Sequence, residues 1–232
     1  MSKQIKSSER VKNQGEVFTN EREVKAMCDL VSQECENIDS RFLEPACGDG
    51  NFLAEILERK LAIVKKRYKT AYDFERYSIL AVSSLYGVDL MEDNTKECRE
   101  RLYKIWEKEY KKVCKKNFSI DASEAVKYIL IMNILCGNAL TLMQVDSKQK
   151  DTDKPIIFPE WGLIGNKMKR RDFRLDVLLK AKEKPSQAKL FDDSELMKYL
   201  SIIPETGEFD PKPIREYPPT NIRKIMEAPY EI

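Results

Sequence analysis

The sequence predicts an α/β fold, on the basis of three short apolar segments that have the length of strands. They lie at 41–43, at 85–90 and at the end of the run 129–135. Stretches with the apolar spacing of helices separate them. Strands that alternate with helices are typical of a parallel sheet covered by helices. With 232 residues, the chain is long enough for one such domain and leaves little for a second.

The first strand leads into a turn that contains Gly48 and Gly50, and helical apolar spacing begins after Asn51. Glycine lets the backbone turn sharply and approach a ligand closely, because it has no Cβ. Such a turn presents free N–H groups and a helix N-terminus at the carboxyl end of a strand, where open α/β sheets bind nucleotides. We therefore expect an adenosine-containing cofactor here, although two glycines alone are as typical of a turn without a ligand.

Apolar spacing predicts the helices on either side of this turn. A helix over 21–35 begins after Asn20, a suitable N-cap. Helices over 52–66 and 72–83 follow, and they lead to the second strand at 85–90.

Asp89 ends the second strand. An acidic residue in this position can accept hydrogen bonds from both hydroxyls of a ribose. The alternative is that Asp89 caps the helix that follows it. That helix is long and highly charged and covers 92–116, and a further helix begins near Ser123.

The net charge is only +2, from 41 Lys and Arg against 39 Asp and Glu, so any nucleic-acid surface must come from local clusters. The candidates are a flexible basic arm at 1–14 with Arg10 among its cations, the helix over 92–116, and the basic run 167–173 near Trp161. For each of them a solvated surface is the competing interpretation, and the run at 167–173 is as consistent with the start of a helix.

The six cysteines are scattered without a C-x-x-C pair, and the chain has no histidine. A zinc site would need four distant thiols, so we expect reduced thiols, several of them buried, and no metal. The lack of histidine excludes catalysis with an imidazole base. With no apolar run of bilayer length and no signal-peptide core, we expect a cytoplasmic protein without a membrane partner.

Four short motifs resemble those of one enzyme family. Residues 44–53 (EPACGDGNFL) closely resemble the first motif of the S-adenosylmethionine-dependent DNA adenine (amino) methyltransferases of restriction-modification systems. In the order of that family, 15–19 (GEVFT) resembles the preceding cofactor motif, 86–90 (YGVDL) the acidic second motif and 136–140 (CGNAL) the third. The resemblance covers roughly residues 11–145.

The resemblance implies a Rossmann-like methyltransferase fold with S-adenosylmethionine as cofactor. It places Thr19 near the cofactor carboxylate, although Asn20 stands where proline commonly follows, and it places Asn138 close to the adenine ring. The residues that it assigns to cofactor binding are Thr19, Glu44, Ala46, Gly48, Asp89 and Asn138.

The catalytic tetrapeptide of this family, Asn/Asp/Ser-Pro-Pro-aromatic, is not recognisable. Residues 155–158 (PIIF) are a candidate fourth strand, but no such tetrapeptide follows them. Residues 217–220 (YPPT) contain two prolines, yet they begin with tyrosine and lack the aromatic. We therefore assign no catalytic residue and expect a shortened or remodelled C-terminal half. The predicted organisation is a basic arm at 1–14, a methyltransferase domain at 15–202 and an irregular, proline-rich arm at 203–232.

Three functions follow from this pattern. The first is a DNA methyltransferase that transfers methyl from S-adenosylmethionine to the adenine amino group. The second is a catalytically inactive cofactor- or DNA-binding subunit, or one half of a split enzyme whose protein partner supplies catalytic or target-recognition elements. The third is a methyltransferase for a small molecule or a protein, because the cofactor half of the fold is widely shared.

Overall fold

A computed structural model of the chain describes Arg10, residues 19–182 and residues 195–229. The chain divides into two compact units, Met1–Cys136 and Gly137–Ile232. Both helices and strands are present, and the strands pair in parallel and in antiparallel, so the chain has a mixed α/β fold. None of the described helices is long and apolar enough to cross a membrane.

The first unit alternates helices and strands as the apolar pattern predicts. Asn20 caps the first helix, since its side chain accepts the Arg22 N–H. The elements in chain order are α1 Glu21–Leu30, α2 Ser32–Glu36, β1 Phe42–Glu44, α3 Asn51–Arg67, α4 Ala71–Ser83, β2 Leu85–Asp89, α5 Glu92–Cys114, a 3₁₀ turn Lys115–Asn117, α6 Ile120–Asn133 and β3 Ile134–Asn138.

The strands of the first unit are parallel and lie in the order β1-β2-β3. Phe42 pairs with Leu85, and Asp89 pairs with Cys136. Successive side chains of a strand point to opposite faces, and those of β2 are buried from Leu85 to Val88. Both faces of this central strand are therefore covered, as parallel sheets require.

Helix α6 is longer than the sequence predicts, because it continues through Ile129 and Leu130 to Asn133. The amide of Asn133 ends the helix in a buried position and donates to the carbonyl oxygens of Ser83 and Leu85, at 3.0 and 2.9 Å. A short, continuous apolar run has no helical or strand period of its own, so its boundary cannot be placed from the sequence.

Lys60 on α3 is fully buried beneath the sheet of the first unit. Its Nζ donates to the carbonyl oxygen of Ile38 at 3.2 Å, to the carbonyl oxygen of Ser40, and to the hydroxyl of Ser84 at 2.6 Å. Burial lowers the pKa of Lys60 to about 8. The lysine thus joins the segment before β1 to the segment before β2.

The second unit is made mainly of antiparallel strands. The last two residues of β3 pair with β4, which pairs with β5. Strands β6, β7 and β10 form a sheet in the order β10-β7-β6, and β8 pairs with β9. The remaining elements are β4 Met143–Val145, β5 Asp151–Pro155, β6 Ile157–Ile164, β7 Lys167–Arg174, α7 Leu175–Lys180, a 3₁₀ turn Leu196–Tyr199, β8 Leu200–Ile202, β9 Phe209–Pro211, β10 Arg215–Asn221 and a 3₁₀ segment Ile222–Glu227.

The basic run 167–173 is strand β7 and not the start of a helix. Three of its four cations are paired with carboxylates: Lys169 with Glu216, Arg170 with Asp172 and Arg171 with Glu160. Because side chains alternate between the two faces of a strand, Arg170 is buried while Lys169 and Arg171 are not. Most of the charge of the predicted phosphate-binding patch is therefore neutralised within the unit.

Two further expectations for this half change in the structure. The candidate fourth strand at 155–158 covers the last residue of β5 and the first two of β6, and β6 pairs with β7 in antiparallel. Within the arm at 203–232, residues 215–221 are not irregular but form β10 at the edge of the sheet. The pairing of β10 with β7 shifts between Tyr217 and Thr220, so Pro218 and Pro219 lie where no ladder hydrogen bond is needed.

Candidate cofactor site at the glycine turn

The turn between β1 and α3 depends on glycine for its conformation and its packing. Gly48 and Gly50 have φ of 52° and 88°, in the left-handed region that residues with a Cβ avoid. A Cβ placed on Gly50 would lie 2.6 Å from the Cys98 Sγ of α5. Gly50 is the N-cap of α3 and provides no side chain to the first turn of that helix. This end of α3 is therefore suited to an anionic or polar ligand group.

Asp89 joins the turn to the end of β2. Its carboxylate accepts the Gly48 N–H at 2.9 Å, the Met91 N–H at 2.8 Å and the Asn94 amide at 3.1 Å. Asp89 thus contacts the start of α5, as the capping alternative predicts, and also the glycine turn, while its role toward a ribose stays a prediction. A carboxylate offers about four acceptor positions, and three are used here.

Glu44 is the last residue of β1 and lies half-buried beside the turn. Its Oε1 accepts the Ala46 N–H at 3.3 Å. Burial raises the pKa of Glu44, which means that its ionised form is poorly solvated. A cationic ligand group next to Glu44 would be stabilised by this carboxylate.

Arg101 of α5 holds the turn from the other side. Its guanidinium contacts the Asp49 carboxylate at 2.8 Å and donates to the Asn51 side-chain oxygen at 2.5 Å. The Asn51 amide in turn donates to the Thr19 carbonyl oxygen at 3.5 Å. Through this chain of contacts the backbone of Thr19 is brought to the start of α3, as the motif order predicts.

Arg10 is the one residue of the basic arm that the structure describes. Its guanidinium contacts both carboxylate oxygens of Asp93, at 2.6 and 3.0 Å, and the Asn94 side-chain oxygen at 3.5 Å. Arg10 is therefore engaged by α5 and is not available to phosphate in this state. The rest of the arm lies outside the described residues.

Asn138 belongs to the second unit and takes part in a local turn. Its side-chain oxygen accepts the Leu140 N–H at 3.0 Å, and its amide donates to Asp151 at 3.1 Å. The resemblance places Asn138 close to an adenine ring, but in the structure its side-chain oxygen is used within the turn. Of the six predicted cofactor residues, five lie around the glycine turn of the first unit. The sixth, Asn138, lies in the local turn of the second unit.

The sequence gives no sign of three residues that complete the site: Asn94, Cys98 and Arg101. They lie on one face of α5, among alternating charges that look like a solvated helix surface. Cys98 packs against Gly50, and a hydrogen bond between the Cys47 and Cys98 thiols, together with burial, raises the pKa of Cys47. The six cysteines are free and five are buried, which confirms the prediction of reduced and largely buried thiols.

Comparison of the chain with protein-family models, with curated proteins and with solved structures finds no match. The function of the site must therefore be inferred from the chemistry of its own residues.

Proposed function

We propose that the first unit is a Rossmann-like domain that binds S-adenosylmethionine at the glycine turn, and that the chain acts as a DNA adenine (amino) methyltransferase. One observation carries the proposal. The Asp89 carboxylate, at the carboxyl end of β2, accepts the Gly48 N–H at 2.9 Å. The acidic residue and the glycine turn of the two resembling motifs therefore lie side by side at the edge where parallel sheets bind nucleotides.

The residues around the turn fit the chemical groups of this cofactor. Asp89 has acceptor capacity for one ribose hydroxyl, and movement of the Asn94 amide would free a second position. The poorly solvated Glu44 suits the cationic amino or sulfonium group. The cofactor supplies an electrophilic methyl group, and the role of the protein is to hold donor and acceptor in line and to exclude water. Thr19, Ala46 and Gly48 lie at the same turn through their backbone contacts with Asn51, Glu44 and Asp89.

Calorimetric titration of S-adenosylmethionine into the purified chain tests this proposal. We expect micromolar binding that Asp89→Asn and Glu44→Gln each weaken by about 1–3 kcal/mol, the cost of an unpaired polar group. Asp121→Asn is the matched control, because it removes an exposed carboxylate at the start of α6. Unfolding curves of each variant separate loss of binding from loss of fold. Failure of the wild-type chain to bind S-adenosylmethionine would refute the proposal.

A second candidate function is that of a non-catalytic subunit or one half of a split enzyme. Two observations support it. Tyr217, in the only Pro-Pro sequence, is 8% exposed, and its ring lies 4.3 Å from the Arg170 guanidinium. It is thus closed to a substrate base. In the described part of the chain, moreover, β1 pairs with a strand on one side only. In doubly wound sheets the ligand crevice lies where the strand order reverses, beside the first strand.

A partner chain would complete the crevice by adding a strand next to β1. Incorporation of labelled methyl groups into mixed-sequence genomic DNA distinguishes the two candidates. Incorporation by the purified chain alone supports the complete enzyme. Incorporation that appears only when the product of a neighbouring gene is added supports the split enzyme.

A further inference from the structure

The end of the first unit opposite the glycine turn carries a cluster of exposed cations. Helix α3 begins at the turn and ends 17 residues later, which places this cluster about 25 Å away along the helix axis. We call it the basic patch, and it consists of Lys65, Lys66, Arg67, Lys69, Lys112, Lys115 and Lys116, all of them exposed.

Three contacts show that the basic patch is one continuous surface. The Glu109 carboxylate of α5 lies 3.2 Å from the Nζ of Lys65 on α3 and 2.6 Å from the Nζ of Lys112. The Sγ of Cys114 lies 3.5 Å from the carbonyl oxygen of Ala71. The end of α5 therefore meets both the end of α3 and the start of α4.

The charge of the basic patch is not balanced, in contrast to that of the preceding part of α5. Along the helix, Lys96, Lys104 and Lys111 each pair with a glutamate four residues earlier. Within the basic patch, Glu109 pairs with Lys65 and Lys112. Among the described residues, no acidic side chain forms an ion pair with the five other cations, which are Lys66, Arg67, Lys69, Lys115 and Lys116.

The position of Lys115 is costly for a lysine. It follows the last residue of α5 and has a φ of 45°, where glycine would avoid the steric cost of a Cβ. Lysines in the last turn of a helix are favoured by the helix dipole, which accounts for Lys65, Lys66 and Lys112. The end of α3 also accounts for Lys69, whose Nζ donates to the Lys65 carbonyl oxygen at 3.1 Å, but the effect does not account for Lys115 and Lys116, which lie beyond the end of α5.

An exposed aromatic ring follows Lys69 by three residues along the chain. Tyr72, in the first turn of α4, is 56% exposed, and the Arg76 guanidinium lies 5.1 Å from its ring. Unpaired cations beside an exposed aromatic ring are the combination with which proteins bind nucleic-acid strands, because the cations contact phosphates and the ring stacks on a base. An acidic peptide could contact the cations but would have no base to stack on the ring.

We infer that the basic patch is a sequence-independent binding site for the phosphodiester backbone of nucleic acid. The inference goes beyond the proposed function, because the basic patch does not touch the glycine turn and needs no cofactor. It contacts DNA away from any methylated base and thereby adds affinity without adding sequence recognition.

Fluorescence anisotropy with a labelled mixed-sequence duplex and the corresponding single strand tests the inference in the full chain. The patch variant carries Lys66→Gln, Lys69→Gln, Lys115→Gln and Lys116→Gln. The control variant has the same net charge and carries Lys104→Gln, Lys127→Gln, Lys148→Gln and Lys198→Gln, all at exposed positions elsewhere. Circular dichroism shows whether each variant is folded.

For the wild-type chain we expect duplex affinity to fall about 100-fold or more between 50 and 200 mM salt, as four or five phosphate contacts predict. The patch variant should bind at least about tenfold more weakly. Its salt slope should be smaller than that of the wild type by roughly one unit for each lysine removed. The control variant should keep most of the wild-type affinity. Weaker binding of the single strand by Tyr72→Ala would support the stacking contact.

Equal binding by the patch and control variants would overturn the inference, and so would a wild-type chain that binds neither nucleic acid at 50 mM salt. Binding to anionic phospholipid vesicles without binding to nucleic acid would overturn it in favour of a lipid surface. Titration of S-adenosylmethionine into the patch variant separates this result from the proposed function, since we expect cofactor binding to be unchanged there.

Discussion

Asp89 and Asp172 are both carboxylates that accept several hydrogen bonds, but their surroundings differ. Asp172 in the second unit is 1% exposed, and the Arg170 guanidinium contacts both of its oxygens, at 2.6 and 2.8 Å. Asp89 in the first unit is half-buried at a strand end, and the described residues that donate to it are uncharged N–H groups. The charge of Asp172 is balanced within the unit, whereas in the described part of the chain the charge of Asp89 is stabilised by dipoles alone. A saturated ion pair supports the fold, and an unbalanced carboxylate at a sheet edge is available to a ligand.

The largest effect is expected from breaking the saturated pair. Arg170→Met leaves the Asp172 charge buried without its partner, and we expect a loss of about 3–5 kcal/mol in the free energy of unfolding. Urea unfolding followed by Trp161 fluorescence, in a Trp106→Phe background, measures the second unit. The double variant Arg170→Met/Asp172→Leu should recover most of the loss, because no uncompensated charge remains. A single variant as stable as the parent would show that the pair does not support the fold.

The buried Lys60 extends the comparison to a cation without a carboxylate partner. Lys60→Met leaves the acceptors at Ile38, Ser40 and Ser84 unpaired, so we expect a loss of about 2–4 kcal/mol at pH 7.

Lys60 also predicts a dependence of stability on pH. The pKa of Lys60 is lowered to about 8 in the folded chain from its ordinary value of 10.5. Between these values the unfolded chain binds more protons, so the Lys60 contribution to the free energy of unfolding rises with pH, by up to about 3 kcal/mol. Subtracting the pH profile of Lys60→Met from that of the wild type isolates this contribution from other groups. A difference that stays flat from pH 8 to 10.5 would contradict the lowered pKa.

Gly50 tests whether the glycine turn is required for packing. We expect Gly50→Ala to lower the free energy of unfolding by about 1–3 kcal/mol, because the new Cβ is crowded by Cys98 and the residue must keep a positive φ. In the Cys98→Ala background the same substitution should cost less, since only the backbone strain remains. Urea unfolding of the wild type, the two single variants and the double variant measures both costs. Equal costs in both backgrounds would mean that the Cys98 contact contributes nothing.

The smallest effect is expected at Glu44. It tests whether a carboxylate beside the glycine turn is available to a ligand. Because its pKa is raised in the free chain, the ionised form is disfavoured, and a cationic ligand should bind best once Glu44 is deprotonated. We expect the affinity for S-adenosylmethionine to rise with pH above the ordinary pKa of Glu44, by a few-fold, and then to level off. Calorimetry between pH 4.5 and 7 measures this. Glu44→Gln should remove the pH dependence, and an unchanged profile in that variant would assign it to another group.

Local patterns were sufficient for most helices and strands of the half that carries the site, although not for the end of α6. The spacing after Asn51 predicted α3, and Asn20 acts as the N-cap that its side chain suggested. The run 167–173 failed as a prediction, because its basic composition hides the alternation by which Arg170 is buried in strand β7. The prolines at 218 and 219 suggested an irregular segment, although a shift in strand pairing accommodates both.

By itself the sequence determined the strand, the glycine turn, the helix after it and the acidic end of β2, because each depends on neighbours in the chain. Only the tertiary structure decided that Asp89 meets Gly48, that Arg101 holds Asp49 and Asn51, and that Lys60 is buried with three acceptors. These contacts join residues 20 to 52 positions apart, and a side chain finds such partners only when packing brings separate elements together. The same reason explains why the sequence indicates only part of the basic patch, the charged helix over 92–116, since three helix ends form the patch in space.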